Sequence, residues 1–199
     1  MDHSETNKSI EGIEPNELIQ KIYHQFKANF YFLDLGCGKG RDSLFMLQNG
    51  YKVDAIDRSQ ENISKIEELI KINKLPLSNI NLYCGDIRNF SISKNKYDII
   101  NAFNSLQFLP KRDALKIIND IKNNIKNEGY VIISSFTTSD PLYKKMSNNE
   151  RCFFEPQELK NLFSDFNIIE YREQLIEDKG HPGSPLPHIH GMVRLIAQK

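Results

Sequence analysis

Short apolar runs alternate with amphipathic stretches along most of this sequence. Four stretches repeat their apolar residues at helical spacing, over 40–49, 59–73, 111–126 and 157–165. Seven apolar runs have the length of strands and cover 30–35, 51–57, 80–86, 97–103, 129–136, 167–176 and 191–198. Short strands that alternate with helices predict an α/β fold, in which a doubly wound, mostly parallel, seven-stranded Rossmann-like sheet is covered by helices. The last two runs are joined by a loop at 177–190 without a helix, so they predict an antiparallel pair at the C-terminal edge.

The N-terminal 29 residues have a different character from the remainder. Residues 1–14 are polar and predict a loose arm, whereas Pro15 can open a helix whose apolar positions include Leu18, Ile19 and Ile22. The length of 199 residues favours a single domain over 1–199, and we expect 1–29 to form an arm and a helix that cover the active site.

Composition narrows the classes of partner. Lysine plus arginine equals aspartate plus glutamate, with 26 of each, so the chain has no overall positive field for a nucleic acid. No apolar run is long enough to cross a membrane, and the N-terminus has no apolar signal-peptide region. The three cysteines are widely spaced, as is typical of a reducing cytoplasm, and predict neither a disulfide framework nor a zinc knuckle. We therefore expect a cytoplasmic protein that binds neither nucleic acid nor membrane; its oligomeric state does not follow from the sequence.

A glycine-rich turn follows the first predicted strand. Gly36, Gly38 and Gly40 lie where such a sheet binds ligands, beyond the carboxyl end of the strand. Dinucleotide-binding turns follow the pattern G-x-G-x-x-G, whereas here the spacing is G-x-G-x-G and the sixth position is Arg41. Asp34, two residues before the first glycine, would repel a pyrophosphate but would attract an ammonium or a sulfonium. These features favour S-adenosylmethionine (SAM), which carries both cations and no phosphate, over a dinucleotide.

Three further strand ends carry polar candidates for the same ligand. Asp57 ends the second predicted strand, about twenty residues beyond the turn, where an acid accepts hydrogen bonds from ribose hydroxyls. Asp86 and the backbone of Ile87 are placed for the adenine amino group; the less favoured alternative is that Asp86 is a cap or turn former after Gly85. Asn101 and Ala102 are expected to offer backbone groups near the methionine part of the ligand.

The stretches "LDLGCGKGRDSLFML…GYKVDAIDRS", "CGDIRNF" and "YDIINAFNSLQFL" resemble the successive motifs of class I SAM-dependent methyltransferases, over residues 30 to about 136. This resemblance implies that Asp34 and the Gly36–Gly40 loop hold the methionine part, Asp57 the ribose and Asp86 the adenine edge. The complete predicted cofactor-binding set is Asp34, Leu35, Gly36, Cys37, Gly38, Gly40, Arg41, Asp57, Arg58, Asp86, Ile87, Asn101 and Ala102. The implied reaction is direct, in-line transfer of a methyl group from SAM.

The acceptor is the part of the prediction that the sequence constrains least. Enzymes that methylate exocyclic amino groups of bases typically carry an Asn/Asp-Pro-Pro-aromatic motif after the fourth strand, where this chain has "NAFNS". A small-molecule acceptor is therefore favoured. Two alternatives stay open: methylation of a protein or RNA partner, and SAM binding without catalysis.

Three histidines fall in the loop at 177–190, and His188 and His190 would project to one side if extended. Their imidazoles could hydrogen-bond locally in a proline-stiffened loop, bind or deprotonate the acceptor, or hold a metal with His181. H-x-H is a weak metal signature, so no metal ligand is predicted. We predict that His188 and His190 face the active site as catalytic residues.

In length and in the stretch "FFEPQELKNLFSDFNIIEYRE" the chain is similar to the tellurite-resistance methyltransferase family, over residues 30–199. This similarity implies a small acceptor, such as a chalcogen oxyanion or a thiol. Arg41 matches an arginine in that family's glycine turn; it could face the cofactor carboxylate or the acceptor, or be a surface residue of the first helical turn.

Cys37 and an aromatic pair complete the candidates. We expect Cys37 to be a small residue whose backbone contacts the cofactor, because methyl transfer needs no covalent intermediate. Phe153 and Phe154 are expected to pack in the core, with cation–π contact to a sulfonium as the alternative.

Overall fold

A computed structural model of the protein describes residues 14–27, 29–146, 149–180 and 184–199. Within these residues the chain forms five α-helices and eight β-strands, and the strands are mostly parallel with an antiparallel C-terminal part. The predicted α/β fold class is therefore confirmed, with eight strands rather than seven. The chain divides into two compact units, Met1–Asn101 with Asn124–Gly129 and Ala102–Asn123 with Tyr130–Lys199.

The first unit is a parallel sheet with the helices that connect its strands. Its helices are α1 (Glu17–Ile22), α2 (Arg41–Gln48) and α3 (Gln60–Ile72). Its strands are β1 (Tyr31–Leu35), β2 (Lys52–Asp57), β3 (Ile80–Cys84) and the first three residues of β4 (Ile99–Phe103). The strand order is β3-β2-β1-β4, and every pair is parallel. Parallel pairing brings the carboxyl ends of these strands to one edge, where ligands bind in such sheets.

The helices of this unit begin where the sequence supplies a cap. Ser59 accepts a hydrogen bond from the backbone of Asn62 at 3.3 Å and starts α3, whose Ile63, Ile66 and Ile70 are buried at helical spacing. Helix α1 begins after Asn16, whose side chain caps it, so Pro15 precedes the cap rather than opening the helix. The predicted arm lies mostly outside the described residues.

The second unit is a mixed sheet with α4 (Lys111–Asn124) and α5 (Glu158–Leu162). Its strands are β5 (Tyr130–Thr137), β6 (Phe153–Phe154), β7 (Asn167–Asp178) and β8 (His188–Gln198). Strand β8 pairs antiparallel with both β5 and β7, while β6 runs parallel to β5. The two-residue β6 is the eighth strand; it was missed because so short a pair of aromatic residues has no period of its own.

Strands β7 and β8 extend further than the sequence pattern predicted. Their pairing continues to Asp178 opposite His188, so His188 and His190 lie on a strand and not in a loop. Cross-strand hydrogen bonding extends the ladder through residues that are too polar to read as a buried strand. The placement of His181 lies outside the described residues.

No helix in the described ranges combines the length and apolar character needed to cross a membrane. The three cysteines, all within the described residues, are free thiols.

Candidate active site

The glycine turn has a left-handed backbone that only glycine adopts without strain. Gly36, Gly38 and Gly40 have φ angles of 78°, 54° and 83°. At Gly40 a Cβ atom would lie 2.5 Å from Ile66 Cγ1, so this glycine also permits α3 to approach the turn. At Gly38 a Cβ atom would meet no atom within 4 Å, so the space beside this residue is open. The turn is therefore closed on its helix side at Gly40 and open at Gly38.

The backbone amides of the turn have internal acceptors. The amides of Gly36 and Cys37 both donate to Ile56 O, at 2.9 and 3.0 Å, and that of Gly40 donates to Cys37 O at 3.0 Å. The Gly38 amide donates to Asp57 Oδ2 at 2.9 Å. The end of β2 thus fixes the shape of the turn that follows β1.

Asp57 lies at the centre of this arrangement. Besides Gly38, its carboxylate accepts from the Ser59 amide at 2.9 Å and from Asn62 Nδ2 at 3.1 Å, both on Oδ1. The residue is only partly buried. The predicted ribose-binding acid therefore also joins the glycine turn to the start of α3.

Asp34 is buried, and both of its oxygens accept hydrogen bonds. Ser43 Oγ donates to Oδ2 at 2.6 Å and Asn101 Nδ2 donates to Oδ1 at 2.9 Å. Burial, and then the nearby Asp42 carboxylate, raise the pKa of Asp34 to about 7, against the hydrogen bonds that lower it. A cation placed beside this carboxyl group would favour its ionised form.

Asp42 and Asn16 extend this network, and neither was a predicted site residue. Asp42, in the first turn of α2, accepts from the backbone and the side-chain amide of Asn16, each at 2.8 Å, and from Asn101 Nδ2 at 3.2 Å. Asn16 Oδ1 in turn caps α1 by accepting from Leu18 and Ile19. An asparagine before one helix and an acid in the first turn of another were visible in the sequence, but their pairing across 26 residues was not.

The two polar atoms of the Asn101 side chain differ in their hydrogen bonding. Its Nδ2 faces the carboxylates of Asp34 and Asp42, which fixes the orientation of the amide. Its Oδ1 is buried and has no hydrogen-bond partner among the described residues. An unpaired buried acceptor is costly, so this oxygen marks a position where a ligand donor would be stabilised. The sequence predicted a backbone role for Asn101, whereas the buried acceptor without a partner belongs to its side chain. Ala102, the next residue of β4, is fully buried.

Asp86 caps the short 3-10 turn that Ile87 begins. Its Oδ1 accepts from the Arg88 amide at 2.9 Å, and its Oδ2 pairs with Arg88 Nη2 at 2.6 Å. Hydrogen bonds from Arg88, above all from its side chain, lower the pKa of Asp86. The cap role that the sequence offered as the alternative is thus observed, while contact with adenine stays a prediction. Arg58 is exposed.

The remaining residues of the predicted cofactor set differ in exposure. Leu35 is buried at the end of β1. The Arg41 side chain is 50% exposed and pairs with Asp42 at 3.1 Å. Burial, followed by the charges of Asp34 and Asp57, raises the pKa of the Cys37 thiol far above its ordinary range, so this thiol stays protonated.

In the second unit, the two predicted catalytic histidines are in contact with each other. His188 Nε2 and His190 Nε2 are 2.9 Å apart, and His190 Nδ1 lies 2.8 Å from Asp140 Oδ2. The His190 ring stacks on Phe136 with ring centroids 4.9 Å apart. Both histidines are partly buried.

The aromatic pair of the second unit belongs to its core. Phe153 and Phe154 are fully buried, and Phe153 stacks on Phe136. Lys111 Nζ lies over the Phe154 ring, 4.4 Å from the ring centroid. Packing, the favoured interpretation of the pair, is what the structure shows. Cys152, beside them, is also buried, and burial raises the pKa of its thiol to about 12.

Comparison with known proteins gives a consistent result. A family model described as "Tellurite resistance protein TehB" matches residues 20–181. The chain is 32% identical over 149 residues to the probable S-adenosyl-L-methionine-dependent methyltransferase TehB of Haemophilus influenzae, which covers 73% of this chain and 49% of that protein. The chain thus spans about half the length of the curated relatives it matches.

Solved structures agree. The crystal structure of TehB from Haemophilus influenzae has a TM-score of 0.76 at 26% identity, covering 92% of this chain and 61% of that chain. A SAM-dependent methyltransferase from Methanosarcina mazei has a TM-score of 0.67 at 22% identity over 90% of this chain and 96% of that one, which is evidence for the fold alone.

The fold is therefore that of the SAM-dependent methyltransferases. Within this class, the chain belongs to the tellurite resistance protein TehB family. The predicted family, fold and cofactor class are confirmed at this level. The roles of individual site residues stay predictions.

Proposed function

We propose that the chain is a SAM-dependent methyltransferase that acts on a small-molecule acceptor by direct, in-line transfer. The observation that carries the cofactor part is the buried Asn101 Oδ1, an acceptor that lacks a donor among the described residues. It belongs to the amide that contacts Asp34, so an incoming ammonium would gain a hydrogen bond and a neighbouring carboxyl group together.

The residues of the first unit suit the parts of SAM. Asn101 Oδ1 and Asp34 would bind the ammonium of the methionine part, and the open side of Gly38 would admit the ligand close to the backbone. Asp57 would accept a hydrogen bond from a ribose hydroxyl on Oδ2, which the Gly38 amide leaves with one unused lone pair. When bound, SAM supplies an activated methyl group on a sulfonium.

The protein's own part in the reaction is binding and orientation. Alignment of two reactants can supply a large share of a rate enhancement without any covalent intermediate. The high pKa of the Cys37 thiol agrees with this scheme, because a protonated thiol would not compete for the methyl group. The catalytic role of His188 and His190 stays a prediction.

Two observations support a small acceptor. The family description names resistance to tellurite, which is a small oxyanion. The chain also has no net charge, whereas enzymes that act on nucleic acids usually present a positive surface. Soft nucleophiles such as chalcogen oxyanions and thiols are therefore the first acceptors to test.

The test begins with calorimetric titration of the chain with SAM and with S-adenosylhomocysteine. We expect micromolar affinity for both, and a loss of about tenfold or more in Asn101→Ala, because a charge-assisted hydrogen bond contributes roughly 1.5–3 kcal/mol. Asn81→Ala is the matched control: Asn81 donates to Asp54 at 2.8 Å in the same unit and should leave both affinities unchanged. Absence of binding by the folded chain would overturn the proposal.

The acceptor is then identified by following S-adenosylhomocysteine formation with tellurite, selenite, thiols, amines and phenols. Turnover with a member of this panel supports the small-molecule proposal. Turnover that appears only with a protein or RNA fraction would reject it. SAM binding without turnover on any substrate would indicate a SAM-binding protein without catalysis.

A further inference from the structure

Three potential metal ligands lie on one face of the β7–β8 ribbon. Asp178 pairs directly with His188, and Ile176 pairs with His190, so these side chains project to the same side of the antiparallel pair. One ligand atom from each of Asp178, His188 and His190 lies within 4.8 Å of the other two. All three residues belong to the second unit.

Each imidazole is held by its Nδ1 atom. His190 Nδ1 lies 2.8 Å from Asp140 Oδ2, and His188 Nδ1 lies 2.9 Å from the carbonyl oxygen of Leu186. A carboxylate and a carbonyl can only accept, so each Nδ1 carries a proton and donates it. In a ring whose single proton is on Nδ1, the lone pair is on Nε2. This is the way in which proteins fix metal-binding histidines, with the second ring nitrogen donating to a carboxylate or a backbone carbonyl.

The two Nε2 atoms point at each other across 2.9 Å. Two lone pairs repel at this distance unless something positive lies between or beside them. A proton shared by the rings or a metal ion would supply that positive charge. Two ligand atoms that each lie about 2.1 Å from a metal are about 3.0 Å apart at 90° and about 3.4 Å apart at the tetrahedral angle that Zn²⁺ prefers, so the two Nε2 atoms need to separate by roughly half an ångström for a tetrahedral site.

The surroundings hold His190 firmly. Asp140 is fully buried and also accepts from the Gly191 amide at 3.1 Å and the Leu142 amide at 2.8 Å. The imidazole is stacked on Phe136. At Gly191 a Cβ atom would lie 2.4 Å from the Asp140 amide nitrogen, so glycine is what lets the Asp140 segment reach β8.

We propose that Asp178, His188 and His190 bind one divalent first-row transition metal ion. Two imidazoles and a carboxylate are ligands suited to Zn²⁺ and its neighbours, and they leave positions for water or a small ligand. Asp178 and Asp140 provide two negative charges near the ion, which balance its charge. Asp178 accepts from the Gly180 amide at 2.7 Å, which orients its carboxylate on the ribbon.

Coordination and general-base catalysis use the same Nε2 lone pairs. The metal proposal therefore differs from the sequence-based prediction that His188 and His190 act as catalytic bases. A shared proton between the rings is the third outcome, and it predicts no metal affinity.

The test uses the full chain without an affinity tag, treated with a chelator and then titrated with ZnCl₂ by calorimetry. We expect one ion per chain and a rise in melting temperature that grows with free Zn²⁺. Titration with Co²⁺ provides an independent spectroscopic signal, since its visible absorption changes when imidazoles replace water.

Variants separate this site from other histidines. His188→Ala, His190→Ala and Asp178→Asn should each weaken Zn²⁺ binding by at least about tenfold, and Asp140→Asn should weaken it by about 10- to 100-fold by releasing the His190 ring. Asp178→Asn keeps an oxygen for the Gly180 amide and so preserves the loop. His24→Ala removes a histidine of the first unit and is the matched control, which should bind as the parent does.

Circular dichroism shows whether each variant is folded. A folded parent chain without Zn²⁺ affinity would reject the metal site in favour of the shared proton. Equal Zn²⁺ affinity in the parent and in all three ligand variants would also reject it, because the ion would then lie elsewhere. Loss of affinity in the ligand variants alone would establish the site.

Discussion

The backbone amide of Gly38 donates a hydrogen bond of 2.9 Å to the carboxylate of Asp57, nineteen residues further along the chain. The same carboxylate accepts from Ser59 and Asn62 at the start of α3. One carboxylate therefore connects the turn after β1 to the start of the helix after β2. The residue proposed to bind ribose is also part of the scaffold that shapes the cofactor site.

Asp57→Ala should weaken S-adenosylhomocysteine binding by about tenfold or more and should also lower the free energy of unfolding. The first effect follows from lost hydrogen bonds of roughly 1.5–3 kcal/mol to ribose, and the second from donors left without an acceptor. Calorimetric titration and urea unfolding measure the two quantities separately.

Asp54→Asn is the control for this pair of effects. Asp54 lies three residues earlier on β2, is buried, and accepts from Tyr97 Oη at 2.7 Å, as well as from Lys96. Its substitution should cost stability without changing ligand affinity. If Asp57→Ala lost stability alone, its proposed contact with ribose would be wrong.

Two glycines of the turn should respond differently to alanine. Gly40→Ala places a Cβ atom 2.5 Å from Ile66 Cγ1 and adds the cost of a positive φ, about 1–2 kcal/mol, so we expect a loss of stability well above 2 kcal/mol. Gly38→Ala has only the backbone cost, because no atom lies within 4 Å of its Cβ position. Its larger effect should be on SAM affinity, since the methyl group occupies the open side of the turn. Equal stability losses in the two variants would contradict this distinction.

The pKa of Asp34 predicts a pH dependence of stability. The carboxyl group has a pKa of about 7 in the folded chain and an ordinary value of 3.8. Between about pH 4 and pH 7 the folded chain retains a proton that the unfolded chain has released. The free energy of unfolding should therefore fall as the pH rises through this range, by up to about 1.4 kcal/mol per pH unit from this residue.

Urea unfolding of the parent and of Asp34→Asn across this range tests the assignment. The variant cannot ionise at this position, so its stability relative to the parent should increase as the pH rises. A constant difference between the two proteins would show that Asp34 does not titrate in this window. Asp42 and Arg41 are the charged neighbours that influence this pKa, and both remain in the variant.

Asn16→Ala should destabilise the chain by roughly 2–3 kcal/mol. It removes the cap of α1, which contributes about 1 kcal/mol, and both hydrogen bonds from Asn16 to the buried Asp42 are lost or weakened. Gln20→Ala, on the exposed face of the same helix, should change the free energy of unfolding by less than about 0.5 kcal/mol. Chemical denaturation measures the free energy of unfolding of both variants. If Asn16→Ala left this free energy unchanged, α1 would not be anchored through Asp42.

The parallel strands were predictable because each is a short apolar run between helices with their own period. Strands β1, β2 and β4 begin within two residues of the predicted positions. Strand β8 began three residues before its predicted start, because His188 and His190 gain ladder hydrogen bonds that their polarity does not reveal. The local pattern of apolar residues predicts which residues are buried, whereas the end of a strand depends on how far the neighbouring strand continues to pair with it.

The candidate site was predictable only in part, for a similar reason. Asp34, Asp57 and the glycines stand at strand ends and in a turn, where sequence position implies spatial position. Asp42 and Asn16 reach the site through contacts between distant segments, which no local pattern reports. The cap role of Asp86 could have been favoured from Arg88, two residues later, which pairs with it.

The internal hydrogen bonds of the glycine turn have a consequence for selectivity among nucleotides. ATP and the nicotinamide dinucleotides share adenosine with SAM, and a glycine turn before a helix ordinarily binds their phosphates through backbone amides. Here the amides of Gly36, Cys37, Gly38 and Gly40 already have acceptors within the protein, and two carboxyl groups stand beside them. Phosphate groups would find these four amides occupied and an opposing charge beside them. We therefore expect the turn to disfavour common phosphorylated adenosines through a shape and charge that are present before any ligand binds.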